Sequence, residues 1–293
     1  MAQRTGDMRY LDPKADLTFK KVFGEHPDLI ISFLNALLPL GEGEEISEIE
    51  YLPTDLVPDT PLKKMSIVDV RCKDQLGRHF IVEMQMLWSN SFMQRVLFNA
   101  SKAYVRQLNR SEDYELLQPV YSLNLVNQVF MPDVEDYYHL YRIVCDKHTD
   151  KVIEGLQFIY IELPKFTPQT LTEKKMTALW LRYLTEINEN TRHVPEDLLT
   201  NPEVKKALDT IEESAFTDSQ LLGYDKFWDI IRTTTTYYND GIRKGRAEGI
   251  EEGREEGRKE ERYAMALKMK KNGLPSAMIQ EYTGLTRDEV EQL

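Results

Sequence analysis

The chain has 293 residues, 41% of them hydrophobic, with 49 acidic against 37 basic side chains and a formal net charge of -12 at pH 7. That length holds one large core with an extension, or two domains. With no apolar run near the roughly 18 residues of a membrane span and no apolar signal segment in "MAQRTGDMRYLDPKADL", it predicts a folded cytosolic protein with no membrane partner. The charge excludes a generally basic coat, leaves room for a local basic face, and neither supports nor excludes a nucleic-acid substrate. Cys72 and Cys145 each fall in an apparent strand and form no CxxC pair, which predicts two reduced core thiols and no zinc site or disulfide framework.

In chain order, "DLTFKKVFG" spaces Phe19, Val22 and Phe23 along one helical face and stops at Gly24; "HPDLIISFLNALLP" restarts with Pro27 at a helix start. "ISEIEYLPTD" alternates apolar residues with acids, and the two apolar runs of "SIVDVRCKDQLGRHFIVEMQM" (66 to 86) extend it into a meander. "SFMQRVLFNASKAYVRQLNR" lacks Gly and Pro and reads as a long helix. Further strands are predicted at "PVYSLNLVNQVF", "YYHLYRIVC" and "GLQFIYIEL". Helix, strands, helix, strands is an α/β order around one mixed sheet.

After "LPKFTP" the pattern turns helical, in "EKKMTALWLRYLTEI", "PEVKKALDTIEES" and "YDKFWDIIRTTTTYY". The expected division is a domain over 1 to 165, a helical extension over 166 to 240, a charged glycine repeat over 241 to 262 and a small helical tail over 263 to 293. In the repeat, Gly241, Gly245, Gly249, Gly253 and Gly257 recur every fourth residue. Each costs a helix roughly 1 kcal/mol relative to alanine. The repeat therefore reads either as a solvated connector or as a close helix–helix contact that makes a homo-oligomer. The tail predicts a helix closed by Gly273, a second begun at Pro275, a "TGL" turn, and a last helix capped by Thr286 with Glu289. The acidic "RDEVEQL" favours packing or assembly over DNA reading.

The hairpin holds the chemistry. "DQLGR" fits a three-residue loop, Gln75, Leu76 and Gly77, with Gly77 left-handed and Asp74 opposite Arg78. Counting back sets Asp69 opposite Glu83, with β-carbons about 4.5 to 5.5 Å apart on one face. Two carboxylates so placed repel unless one is protonated or a cation lies between them, and a hard divalent ion such as Mg²⁺ suits such oxygens. A register slip of one residue would instead turn the acids to opposite faces. The five histidines are scattered, and no Ser-His-Asp or Cys-His arrangement competes.

The ordered set "DLTFKKVFG", "IVDVRCKDQLGRHFIVEMQ", "RVLFNASKAYVRQL" and "IELPKF" resembles the PD-(D/E)XK nuclease family transposases, also called the Rpn family of recombination-promoting nucleases. The likeness is close over residues 12 to 166 and extends to the glycine repeat and "GL" tail. It implies a restriction-endonuclease-like core, αβββαβ around a mixed sheet, with a helical C-terminal extension. By position it makes Asp69 and Glu83 the metal-binding acids and lets the Met84 carbonyl add a ligand. Gln85 takes the place usually held by lysine, and Asp16, otherwise a helix cap, is allowed a share in the metal. The implied activity is Mg²⁺-dependent hydrolysis of DNA phosphodiesters, with Mn²⁺ or Ca²⁺ as alternative ions, linked to recombination or mobile elements. An amide at position 85 orients water but supplies no charge, so the alternative is a catalytically silent nuclease-fold protein that binds DNA or protein, or assembles. Lys20 and Lys21 are candidates for phosphate contact. Arg95, Asn99, Lys102 and Arg106 share one helical face opposite Leu97, Ala100, Tyr104 and Leu108, and are predicted to form a basic outer stripe for the DNA backbone.

Overall fold

A computed structural model of the chain describes residues 9–56, 66–168 and 175–293. The start of the N-terminus, read above for a signal segment, lies outside them, as do Glu173 and Lys174 of the segment "EKKMTALWLRYLTEI" read above as helical. Helix α1 (Asp16–Glu25) buries Phe19, Val22 and Phe23. The chain breaks at His26 (φ -122°, ψ 97°), and α2 (Pro27–Leu37) starts on a proline whose missing N–H would have had no helical acceptor there. Strands β1 (Ile49–Tyr51), β2 (Asp55–Leu56), β3 (Ser66–Ile67), β4 (Val70–Asp74) and β5 (His79–Gln85) follow, then α3 (Phe92–Val105) and strands β6 (Val120–Val126), β7 (Tyr138–Cys145) and β8 (His148–Glu162).

Six strands form one sheet in the order β1-β4-β5-β6-β8-β7, while β2 and β3 pair separately. The sheet is mixed: β1, β4 and β5 run antiparallel, β5, β6 and β8 are parallel, and β7 returns antiparallel on β8. A parallel β5–β6 pair needs a crossover, and α3 supplies it. Every residue of β6 is buried because both faces of the sheet are covered there, so its sequence is nearly continuous in apolar residues.

Alternation along β5 divides the two faces. Phe80 and Val82 join Val70, Cys72, Leu123 and Ile161 in the main core, under α1 and α2. Ile81 packs with Ala100, Ala103 and Val120 on the α3 side, which is therefore also the side of Glu83 and Gln85.

The later helices are α4 (Lys175–Glu186), α5 (Glu196–Thr200), α6 (Pro202–Thr210), α7 (Asp218–Lys271), α8 (Ser276–Thr283) and α9 (Arg287–Gln292). Trp180, Tyr183 and Leu184 of α4 and Val204 and Leu208 of α6 belong to the same core as Phe23 and Phe33. Phe23 lies 4.3 Å from Phe33 and 5.5 Å from Trp180, ring to ring. The expected division at residue 165 is thus no break in packing: the helical extension is one wall of the main core. The compact units are Met1–Ile231 and Arg232–Leu293.

In the second unit the glycine repeat is continuous helix, and a Cβ added at any of its five glycines would meet nothing within 4 Å. The tail turns at Gly273 (φ 78°) and Gly284 (φ 69°), where left-handed backbone favours glycine. Thr286 and Glu289 form the expected capping box, and Val290 is buried with Ala266, Ile279 and Leu285.

Two expectations are corrected. Cys72 is a core thiol, its pKa pushed up to about 12 by burial and by Asp74, but Cys145 is exposed. The β7–β8 hairpin runs past the layers that cover the sheet, so the apolar residues at its far end pack under nothing: Ile143, Val144 and Ile153 are exposed as well. The stripe on α3 is not one outer face: Arg95 is exposed and Ala100 buried as expected, but two positions are reversed. Asn99 is buried and Leu97 is exposed, because α3 packs through Phe92, Val96, Ala100 and Ala103, and that face brings Asn99 with it.

Candidate active site

The hairpin turn sets the register. Gly77 has φ 80° and donates to the Asp74 carbonyl, while Asp74 Oδ1 accepts from the N–H groups of Leu76 (3.0 Å) and Arg78 (2.8 Å). Asp74 Oδ2 also receives Arg78 Nε at 2.7 Å, so one buried carboxylate satisfies the loop. The resulting ladder pairs Lys73 with His79 and Val70 with Val82. One step further sets Asp69 across from Glu83, as the turn predicted.

At that step Asp69 leaves the strand, and its Oδ2 accepts the Met84 N–H at 2.8 Å. A side chain, rather than a strand carbonyl, receives that proton, which fixes the carboxylate beside β5. Asp69 Oδ1 lies 3.8 Å from Lys20 Nζ, and the same ammonium holds Asp16 at 2.6 Å. Asp16 is therefore linked to Asp69 through Lys20.

Glu83 is more enclosed, its side chain 7% exposed against 24% for Asp69. Asn99 Nδ2 donates to its Oε1 at 3.0 Å, and Arg95 Nη2 approaches its Oε2 at 3.4 Å. The same Arg95 nitrogen donates to Gln85 Oε1 at 2.6 Å, and Gln85 Nε2 donates to the Leu87 carbonyl. Burial pushes the Glu83 carboxyl above its ordinary pKa; Asn99 and Arg95 pull it back, Asp69 pushes it up again, and the net direction is upward. Asp69 is raised too, by burial first, against the Met84 N–H and Lys20, with Asp16 adding to the rise. Each acid is destabilised as an anion where it stands, Glu83 in part by Asp69 and Asp69 in part by Asp16.

The donor set is two carboxylates beside a strand backbone, all hard oxygens, which fits Mg²⁺, Mn²⁺ or Ca²⁺ and no soft metal. Among the described residues no group of three His, Cys, Asp or Glu comes together, so the remaining ligands would be water, backbone or substrate oxygens.

The structure thus brings together Asp69, Glu83, Gln85, Arg95, Asn99 and Lys20, with Asp16 at the edge. Lys21 is engaged elsewhere: it donates to the Ala215 carbonyl at 2.8 Å and covers the Phe216 ring. Lys102 donates to the Leu56 carbonyl at 2.7 Å, away from the acids. Asn99 donates to Glu83 and is buried, so it does not face a phosphate backbone.

The sequence reading missed Glu162. At the end of β8, with its side chain fully buried, it accepts from Lys165 Nζ (2.6 Å), from the Phe130 and Met131 N–H groups (2.7 and 3.3 Å), and contacts His139 Nε2 at 2.8 Å. Burial pushes its carboxyl up, but Lys165, His139 and the two N–H groups outweigh burial and hold it below the ordinary value. It ties down the segment whose Phe130 stacks on Trp88 at 4.2 Å, just beyond Gln85. The cue was present: an acid closing an apolar run, with Lys165 three residues on.

A mixed sheet, a crossover helix, and two acids on one face of an antiparallel pair define the PD-(D/E)XK class of nuclease folds. The family model described as "PD-(D/E)XK nuclease family transposase" matches residues 13–231, and the chain belongs to that family. Comparison with curated proteins and with solved structures finds no match. No helix among the described residues is long and apolar enough to cross a membrane.

Proposed function

We propose that the protein is a Mg²⁺-dependent DNA endonuclease acting in recombination or on mobile elements. The observation that carries this reading is the register pair Asp69 and Glu83, two largely buried acids on one face, each raised in pKa partly by its acidic neighbours. With the Met84 carbonyl they would hold the cation, with Mn²⁺ or Ca²⁺ as substitutes. A divalent ion in such a site makes bound water more acidic and polarises a phosphoryl oxygen. In the hydrolysis a water oxygen bonds to phosphorus, one P–O ester bond breaks, and the proton lost by the water ends on the departing oxygen.

The chain's own groups hold the arrangement: the Met84 N–H pins Asp69, and Asn99 pins Glu83. DNA would meet the cations at the lip, Lys20 and Arg95, with Lys102 and Arg106 further along α3. The test is nicking of supercoiled plasmid with and without Mg²⁺, beside Asp69→Ala and Glu83→Ala. Metal-dependent nicking by wild type, reduced more than about 100-fold in both variants, supports the reading. Equal nicking by all three proteins, or none by wild type with any of the ions, sinks it.

One observation favours a silent nuclease-fold binder: Gln85 is neutral, and both ends of its amide are taken. Calorimetric titration separates the two, since a silent site binds Mg²⁺ and Mn²⁺ feebly. Assembly of copies through the C-terminal helices is a further part of the proposal, supported by the exposure of the repeat. Removing residues 241 to 293 should then lower the oligomeric state; an unchanged state removes that support.

A further inference from the structure

We infer that Arg95 supplies to the scissile phosphate the positive charge that Gln85 lacks, and that Gln85 is the residue that positions it. The inference rests on the nuclease reading above and names the group that replaces a lysine at position 85.

Arg95 stands in the first turn of α3, the helix that crosses from β5 to β6, and its guanidinium reaches back to the strand it left. Its closest polar partner is a neutral amide, Gln85 Oε1 at 2.6 Å, although the Glu83 carboxylate stands beside it at 3.4 Å. An arginine placed merely to neutralise Glu83 would make a short, two-pronged pair. Here the carboxylate contact is long and single, and the side chain is 46% exposed.

The orientation of Gln85 follows from donor chemistry. A carbonyl oxygen can only accept and a guanidinium can only donate, so Nε2 must face Leu87 and Oε1 must face Arg95. The guanidinium also lies over the Phe92 ring at 4.9 Å, and Phe92 is itself fixed edge-on against Trp88 at 5.5 Å. Held by an amide and a ring, Arg95 keeps Nε and Nη1 without a hydrogen bond or ion pair among the described residues. Those donors are available to an anion at the mouth of the site.

A planar fork of N–H donors matches the non-bridging oxygens of a phosphodiester. As water adds and the ester bond breaks, negative charge builds on those oxygens and donors already in place stabilise it. Arg95 stays protonated throughout and transfers no proton. The positive charge sits on the helix and the amide that aims it sits on the strand, at the position where a lysine would combine both roles.

The test uses the full chain and supercoiled plasmid at saturating Mg²⁺, with kcat and KM measured separately and Mn²⁺ affinity read by calorimetry. Arg95→Met is expected to lower kcat about 10²- to 10³-fold, with Mn²⁺ affinity within about threefold of wild type and KM changed far less than kcat. Gln85→Leu is expected to lower kcat about 10- to 100-fold by leaving the guanidinium unaimed. The double variant Arg95→Met/Gln85→Lys, which returns a cation to the strand, should recover at least about tenfold of the kcat lost in Arg95→Met. A purely structural role for Arg95 would not be repaired in this way. The inference is overturned if wild type nicks and Arg95→Met keeps its kcat within threefold, if the loss is confined to KM, or if Gln85→Lys repairs nothing. Wild type that fails to nick brings down the nuclease reading itself, a result visible before any variant is made.

Discussion

Asp69 is held where its charge is unfavourable. Its folded pKa lies above the ordinary value of 3.8, so folding favours the protonated form. The penalty on stability is absent below the unfolded pKa and grows as pH rises through the window between the unfolded and folded values. Asp69→Asn keeps an acceptor for the Met84 N–H and removes the charge. It should therefore melt above wild type at pH 7, with the gap closing as pH falls below about 4, while losing more than about 100-fold in activity. Melting scans across that pH range check it; a variant less stable than wild type at pH 7 contradicts the upward shift. The same shifts in Asp69 and Glu83 make metal binding fail earlier on acidification than ordinary carboxylates would, because each must shed its proton first. Titrations at descending pH measure this.

At the scale of elements the hairpin was legible and the helix beside it was not. A turn sequence with glycine at its third position fixes loop length, loop length fixes register, and register placed Asp69 across from Glu83. That chain of cause is local, so sequence carried it. Gly77 is the weak point: its φ is 80°, and an added Cβ would meet the Gln118 side chain at 3.3 Å. Gly77→Ala should destabilise by about 1 to 2 kcal/mol, measured by denaturant unfolding; a neutral effect would mean the loop relaxes without disturbing the register. For α3, periodicity found the stripe of Arg95, Asn99, Lys102 and Arg106 but assigned its orientation by polarity. The apolar residues Leu97 and Phe98 are exposed, and the amide nitrogen of a buried Asn99 donates to a buried acid. Amphipathic reasoning fails where a core face carries a site, since the site itself supplies the polar partner. Glu162 escaped for the same reason: its partners Lys165, His139 and Phe130 come from three places in the chain.

At the scale of the molecule, the α/β order, the mixed sheet and the capped tail could all be read from patterning, while the merging of the later helices into the core could not. Trp180 sits against Phe33 from 147 residues away in sequence, and no local signal announces such a contact. Phe23→Ala should cost about 3 to 5 kcal/mol by emptying the junction of α1, α2 and α4; a loss below 1 kcal/mol in unfolding would deny that these helices share one core. The glycine repeat yields the opposite expectation. Its five glycines face open space in the single chain. Alanine at all five should strengthen the helix by up to about 1 kcal/mol each, and by circular dichroism the second unit should melt higher. If copies pair through the repeat, the same substitution will weaken association. The central claim concerns one pair of acids, and the most direct measurement is a crystal of the chain soaked in Mn²⁺ and examined by anomalous diffraction. The account predicts a peak in contact with both Asp69 and Glu83; a peak touching neither, or no peak on that face of the sheet, contradicts it.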